Sequence, residues 1–448
     1  MKIHSCYSVK IKKLNNVFRD SVALYRDAVD FFIDVCLNNW DEISAINGLN
    51  QRQRYIETIT VRTKSNKDTD YDFCSTFYKF PCYLRRGAIS EAVGKVSSYK
   101  SNLLNWEAAD PHARGNRPSV PKAGYVYPCL YRGNMFCPDP ENPYRAQIKV
   151  FIRNTWDWIS VELKKSDMDY ILHHCKDRRQ ECPTLQKRGK EWFLDFSFEE
   201  KTALSDTNVY NRRIVSVDLG INSACVCSVM CSDGTILGRE FLKLPREHDC
   251  LKHKTSRIKR AQHKGSRKTK NIWAYANGIN KQIAVKTAQF ITDMAVLYQA
   301  DVVVFEHLDL NGKKRGSKKQ KLHLWKARDV QRIVTDKVHR LGIRVAHICA
   351  WGTSGLAYDG SGTVLRGRNS EKTNGCYSLC EFQNGKVYNC DLNASYNIGA
   401  RYFIRELEKT IPVTEWQRIL AKVPECAKRS TCTLSSLISL NTELYACA

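Results

Sequence analysis

The middle of the chain constrains the fold most, because short apolar runs and helical patterns follow one another there in a restrictive order. IVSVDLGI from residue 214 and ACVCSVM from residue 224 are almost continuously apolar, as strands buried on both faces are. The turn signal SDGT at 232–235 leads into a third run, ILGREFLKL. After a very basic stretch, a helical amphipathic pattern over 283–299 runs into DVVVFE at 301–306, and a helix over 330–341 leads into IRVAHICA. The pattern predicts three antiparallel-looking strands, a helix, a strand, a helix and a strand.

That order is the one expected of an RNase H-like α/β domain. The first half reads differently. Residues 2–12 alternate like a strand (Ile3, Tyr7, Val9, Ile11), and Phe18, Val22, Tyr25, Val29 and Phe32 then fall at helical spacing. Helix continues through 83–106, which carries Arg85, Arg86, Lys95 and Lys100 beside Tyr83 and Tyr99, and Pro and Gly between 111 and 121 close it. From 125 to 199 the runs QIKVFI, WDWISVEL and EWFLDFSFE predict a small β-rich domain that the N-terminal strand can join.

Charge narrows the function. Lys and Arg number 71 against 46 Asp and Glu in 448 residues, a net charge of +25, and 43% of residues are hydrophobic. Such a chain can bury a core, which excludes global disorder, and its surplus fits a polyanion, since each neutralised phosphate releases counterions. No run approaches the ~20 apolar residues of a membrane span, and the expectation is a soluble cytoplasmic protein associated with the nucleoid. Nineteen cysteines, odd in number and irregular in spacing, read as reduced thiols.

Three acids stand at chemically expensive positions. Asp218 lies in the first core strand, Glu306 ends the later one, and Asp391 begins a helical stretch, CDLNASYNIGARYFIREL. A carboxylate ending a buried strand is costly unless paired or metal-bound. Converging carboxylates can hold two Mg²⁺ ions about 3.5–4 Å apart for phosphodiester hydrolysis. Singly, each has a plain alternative: a strand-to-turn acid, a salt-bridge partner and a helix N-cap.

IVSVDLGINSACVC, DVVVFEHLDL and NCDLNASYNIGARYF together resemble the three split RuvC motifs of the TnpB family of transposon-encoded, RNA-guided DNA endonucleases and of compact type V CRISPR effectors. The resemblance implies that Asp218, Glu306 and Asp391 are catalytic and bind Mg²⁺, and that a guide RNA pairs with double-stranded target DNA next to a short flanking motif. It implies an α/β RNase H-like (RuvC) nuclease domain, an N-terminal β-rich wedge-like domain and an inserted α-helical recognition lobe. The expected boundaries are 1–12 for the first strand of the wedge, 13–120 for the helical lobe, 121–210 for the rest of the wedge and 211–348 for motifs I and II. An insertion at 349–390, the motif III helix at 391–410 and a tail at 411–448 follow. The alternatives are a nuclease-inactive RNA-guided DNA-binding protein or transposition accessory, and an RNA-independent nuclease or transposase.

Two acid-free segments hold seventeen of the 71 basic residues. One carries Lys252, Lys254, Arg257, Lys259, Arg260, Lys264, Arg267, Lys268 and Lys270, with Trp273 and Tyr275 close behind. The other carries Lys313, Lys314, Arg315, Lys318, Lys319, Lys321, Lys326 and Arg328 directly after Glu306. Such runs are usually solvated faces, but within a nuclease domain phosphate contact is the better reading. Relatives usually carry a zinc ribbon of two CxxC pairs where this chain has Cys349, Cys376, Cys380 and Cys390. The irregular spacing favours a metal-free hairpin insertion, with zinc on these four thiolates the minor alternative.

Overall fold

The computed structural model describes residues 1–12, 17–64, 66–112, 114–220, 224–266, 268–308 and 326–447. Contacts divide the chain into Lys2–Glu200 and a second unit made of Met1 and Lys201–Ala448.

In the first unit, β1 (Lys2–Lys12) leads into α1 (Phe18–Asn38), α2 (Trp40–Ala45), α3 (Leu49–Thr60), α4 (Phe73–Thr76) and the long α5 (Cys82–Ala108). There follow β2 (Phe136–Pro138), β3 (Arg145–Ile152), β4 (Thr155–Leu163), α6 (Lys165–His174), β5 (Arg179–Gln180), β6 (Thr184–Arg188) and β7 (Glu191–Lys201). The N-terminal strand lies inside the sheet, between β4 and β7, in the order β2-β3-β4-β1-β7-β5, and β6 pairs with β7. Val9 and Ile11 of β1 are buried with Phe18, Val22, Tyr25, Val29 and Phe32 of α1, at the spacing read from the sequence. Ile148, Val150, Leu194 and Phe196 of the strands join the same core, so helices and sheet pack as one body. Asp72 caps α4 by accepting from the Ser75 backbone N–H.

The second unit begins with β8 (Arg213–Asp218), β9 (Cys225–Cys231) and β10 (Ile236–Leu242), antiparallel to one another in turn. Helices α7 (Pro245–His263) and α8 (Lys270–Leu297) precede β11 (Val302–Glu306), and α9 (Ala327–Arg340) precedes β12 (Arg344–Ile348). β11 runs parallel to both β8 and β12, giving the order β10-β9-β8-β11-β12. The basic stretch after β10 thus folds, through residue 263, as helix α7.

β13 (Leu365–Arg366), β14 (Leu379–Glu381) and β15 (Val387–Asn389) form a separate small sheet within the expected insertion. The chain ends in α10 (Cys390–Glu408), α11 (Val413–Lys422) and α12 (Leu434–Cys447).

Both faces of β8, β9 and β11 are covered, which is why these strands lack polar alternation. Val215, Val217, Cys227 and Val303 pack with Ala288 and Ile291 of α8 and Val334 of α9. Ile214, Val226, Met230 and Val304 pack with Ile398 and Phe403 of α10 and Leu437 and Leu440 of α12. The tail, which bears no sequence motif, is therefore core. Helix α10 approaches β8 closely at Gly399, where a Cβ would lie 2.9 Å from the Met230 sulfur and 3.2 Å from Ser216 Oγ.

Candidate active site

Asp218 and Glu306 occupy the C-terminal ends of neighbouring parallel strands. Val217 pairs with Phe305, so the next rung sets the two acids side by side, at roughly the 4.8 Å spacing of paired strands. The carboxyl ends of strands in an α/β sheet are where ligands characteristically bind. Asp391 arrives in the first turn of α10, which packs on the same sheet. Its alternative as N-cap is displaced: Asn389 is the cap, accepting from the backbone N–H groups of Asp391 and Leu392 at 3.0 and 2.9 Å.

Glu306 and Asp391 both act electrostatically on Asp218. Burial pushes the Asp218 carboxyl well above the ordinary carboxylate range, and the charges of Glu306 and then Asp391 add to the rise, against the opposing pull of Arg366. Burial likewise raises Glu306, offset in part by a hydrogen bond from Thr353 Oγ1 and by the charge of Arg401. Hard oxygen donors whose repulsion a cation would relieve suit Mg²⁺. Among the described residues, the group of three whose ligand atoms all lie within 4.8 Å is a different one, His4, Glu181 and Glu199 of the first unit. The acids of the sheet are spread more widely, as carboxylates shared between two ions can be. His4 and Glu181 are solvent-exposed and Glu199 already pairs with Lys2 at 3.0 Å, so that group reads as surface ion pairing.

Several residues that complete the site were not legible in the sequence. Thr353 is buried and donates to Glu306 from 47 residues away. Arg366 on β13 lies near Asp218 with Nε and Nη2 buried, and among the described residues nothing accepts from them. Asn393, Asn397 and Arg401 form a buried polar stripe along α10. Asn393 Nδ2 donates to Leu356 O, and its Oδ1 accepts from the Tyr358 N–H, both at 2.8 Å. Asn397 Nδ2 donates to Thr353 O and Leu356 O at 2.9 Å. Arg401 donates to the carbonyls of Cys349, Trp351, Ser430 and Cys432 at 2.7–3.1 Å. The i, i+4, i+8 spacing of this stripe was the available signal.

Of the four cysteines of the insertion, Cys380 and Cys390 meet through a thiol hydrogen bond. Cys380 and Cys390 are buried with hydrogen-bonded thiols, whereas Cys349 and Cys376 are exposed. Among the described residues no four-thiol set forms, because β14–β15 pairing places Cys380 opposite Tyr388 and turns the segment into a hairpin packed through Phe382 and Tyr388.

The basic candidates divide. Arg85 and Arg86 share one carboxylate, Glu57, at 2.9 and 3.4 Å, so the cluster keeps a net positive charge and Arg86 stays about half exposed. Lys95 and Lys100 are half-buried on α5, and Lys95 lines a groove of ≈ 760 Å³ with Tyr99, Asn102, Pro118 and Pro121. Lys252, Arg257, Lys259, Arg260, Lys264, Lys268 and Lys270 are exposed on and just beyond α7, and Lys254 lies 4.5 Å over the Tyr275 ring. Arg267, Lys313, Lys314, Arg315, Lys318, Lys319 and Lys321 lie outside the described residues.

The Aq_aa04 family model matches residues 5–152, within the first unit. A TnpB-like protein of Aquifex aeolicus (strain VF5), aq_aa05, is 27% identical over 241 residues, 48% of this chain and 74% of that protein. The uncharacterised protein aq_aa04 of the same organism is 28% identical over 121 residues, 25% of this chain and 68% of its own. Among solved structures, Cas12f1 in a Cas12f1–sgRNA–target DNA complex superposes with a TM-score of 0.53 at 14% identity, covering 86% of this chain and 81% of that one. The chain is thus similar in sequence to a TnpB-like protein over about half its length and shares the fold of Cas12f1.

Proposed function

We propose that the protein is an RNA-guided DNA endonuclease. The observation that carries this is that the charges of Glu306 and Asp391, from distant parts of the chain, both act on the Asp218 carboxyl at the end of its strand. The unit after residue 200 is read as an RNase H-like, RuvC-type nuclease domain. The first unit, with its β-sheet and helical face, is read as the wedge and recognition elements that grip the guide RNA and the DNA beside a short flanking motif. Pairing with the guide then reads sequence while protein reads backbone shape. The likeness to Cas12f1, solved with its sgRNA and target DNA, supports this reading.

Asp218, Glu306 and Asp391 would hold two Mg²⁺ ions, which when bound polarise the phosphodiester and make the attacking water more acidic. Thr353 orients the Glu306 carboxylate, fixing which oxygen faces the site. Arg366 brings a guanidinium with unspent donors beside the acids, suited to the charge that develops on a phosphoryl oxygen. Exposed cations of α7 would follow the phosphate backbone.

The test is plasmid cleavage by the protein purified with co-expressed RNA, with and without Mg²⁺. Asp218→Asn and Glu306→Gln should abolish cutting while RNA still co-purifies. Equal cleavage by either variant overturns the site assignment. Activity that survives RNase treatment supports an RNA-independent nuclease, and guided DNA binding without cleavage in Mg²⁺ or Mn²⁺ supports an inactive binder.

A further inference from the structure

The loop after β12 presents an exposed side chain on a backbone that cannot move freely. Trp351 is 79% exposed, and among the described tryptophans it alone is exposed. Its carbonyl and that of Cys349 both accept from the buried Arg401 guanidinium, at 2.7 and 2.9 Å. Gly352 follows at φ +73°, where a Cβ would meet Ser430 O at 3.3 Å, and Thr353 then reaches Glu306. Trp351 is thus two residues, at most ~7 Å of backbone, from Thr353, which touches Glu306.

The same arginine brings in the C-terminal segment. It donates to Ser430 O and Cys432 O, and Cys432 Sγ contacts Glu425 O and Lys428 O, so the turn that carries Lys428 and Arg429 is held beside the tryptophan loop. Both cations are exposed, and among the described residues neither pairs with a carboxylate. An exposed indole on a held loop, beside a turn that bears two cations, joins a stacking surface to phosphate-binding charge. Together these recognise single-stranded nucleic acid.

We propose that Trp351, Lys428 and Arg429 form a binding patch for the single DNA strand that enters the carboxylate site, with Trp351 stacking on a base near the scissile phosphate. This rests on the nuclease reading above and adds a function for the C-terminal segment. Arg401 is a positioning residue that holds the two loops in register.

The test is an abasic scan. With the purified protein–RNA complex, single abasic sites are placed across the cut position and kinetics are measured for parent, Trp351→Ala, Trp351→Phe and Lys428→Ala/Arg429→Ala. One abasic position should raise KM in the parent. Trp351→Ala should raise KM about ten-fold or more, with a smaller effect on kcat and no added penalty at that position. Trp351→Phe should restore most of the effect, and the double lysine–arginine variant should bind with a shallower salt dependence. Parental KM and parental abasic sensitivity in Trp351→Ala overturn the patch, as does a changed oligomeric state with unchanged KM. If the parent does not cleave at all, the nuclease reading fails. The patch is then judged by anisotropy with labelled oligothymidine, where equal affinity of parent and Trp351→Ala overturns it.

Discussion

Thr353 donates its hydroxyl to the Glu306 carboxylate, tying the loop after β12 to the end of β11. Hydrogen bonds to charged groups contribute about 1.5–3 kcal/mol. Thr353→Val should therefore lower the cleavage rate about ten-fold or more and leave RNA binding intact, whereas Thr353→Ser should keep most activity. Single-turnover cleavage with saturating Mg²⁺ checks this, and equal rates for Thr353→Val and parent would show that the bond has no role in turnover.

Arg366 should matter to the rate more than to folding. Its buried, unspent donors sit beside Asp218, and loss of a donor aimed at developing charge typically costs about 10²–10³ in rate. Arg366→Ala should fall in that range with an unchanged melting temperature, and Arg366→Lys should recover little because a point charge lacks the fork of donors. A large loss of thermal stability in Arg366→Ala would instead mark the residue as structural.

Gly399 is required by the approach of α10 to β8. Adding a Cβ crowds the Met230 sulfur and Ser216 Oγ in a buried layer. Gly399→Val should destabilise by about 1–3 kcal/mol, lowering Tm by about 2–4 °C per kcal/mol for a unit of this size. Gly399→Ala should cost less, since the end of the Met230 side chain can give way. Calorimetry of both variants reads the difference.

Asp301 predicts an acid limit to stability. Burial would raise its carboxyl, but hydrogen bonds from Ser205 Oγ, Thr207 Oγ1 and the Arg213 backbone N–H outweigh burial and hold it below the ordinary 3.8. Between the lowered folded value and the ordinary one, the unfolded chain binds more protons, so stability rises with pH there. This contribution is present above about pH 4 and is lost as pH falls through the folded value. Asp301→Asn should flatten the acid limb of a fluorescence-monitored unfolding profile, and an unchanged limb would refute the assignment.

The strands around Asp218 and Glu306 were legible because a strand buried on both faces must be apolar throughout, and that pattern is local. The spacing of Phe18, Val22, Tyr25, Val29 and Phe32 announced α1 for a similar reason, since one helix face fills the core. Asp218 and Glu306 stood out because they end apolar runs, and Asp391 because it opens the third of the three motifs. Other features had no local signature. Nothing near Thr353 or Arg366 in the chain marks them, and the segment after residue 410 has no motif, yet its Leu437 and Leu440 are fully buried.

Those roles depend on contacts between residues tens of positions apart, formed only when α10 docks on the sheet and its Asn393, Asn397 and Arg401 side chains capture passing carbonyls. Periodicity and composition are properties of neighbours along the chain and specify the sheet, its helices and the acids at its end. The partners of those acids, and the exposure of Trp351 two residues from Thr353, follow from which loops the buried polar groups of α10 must satisfy, a constraint that exists only in the folded state.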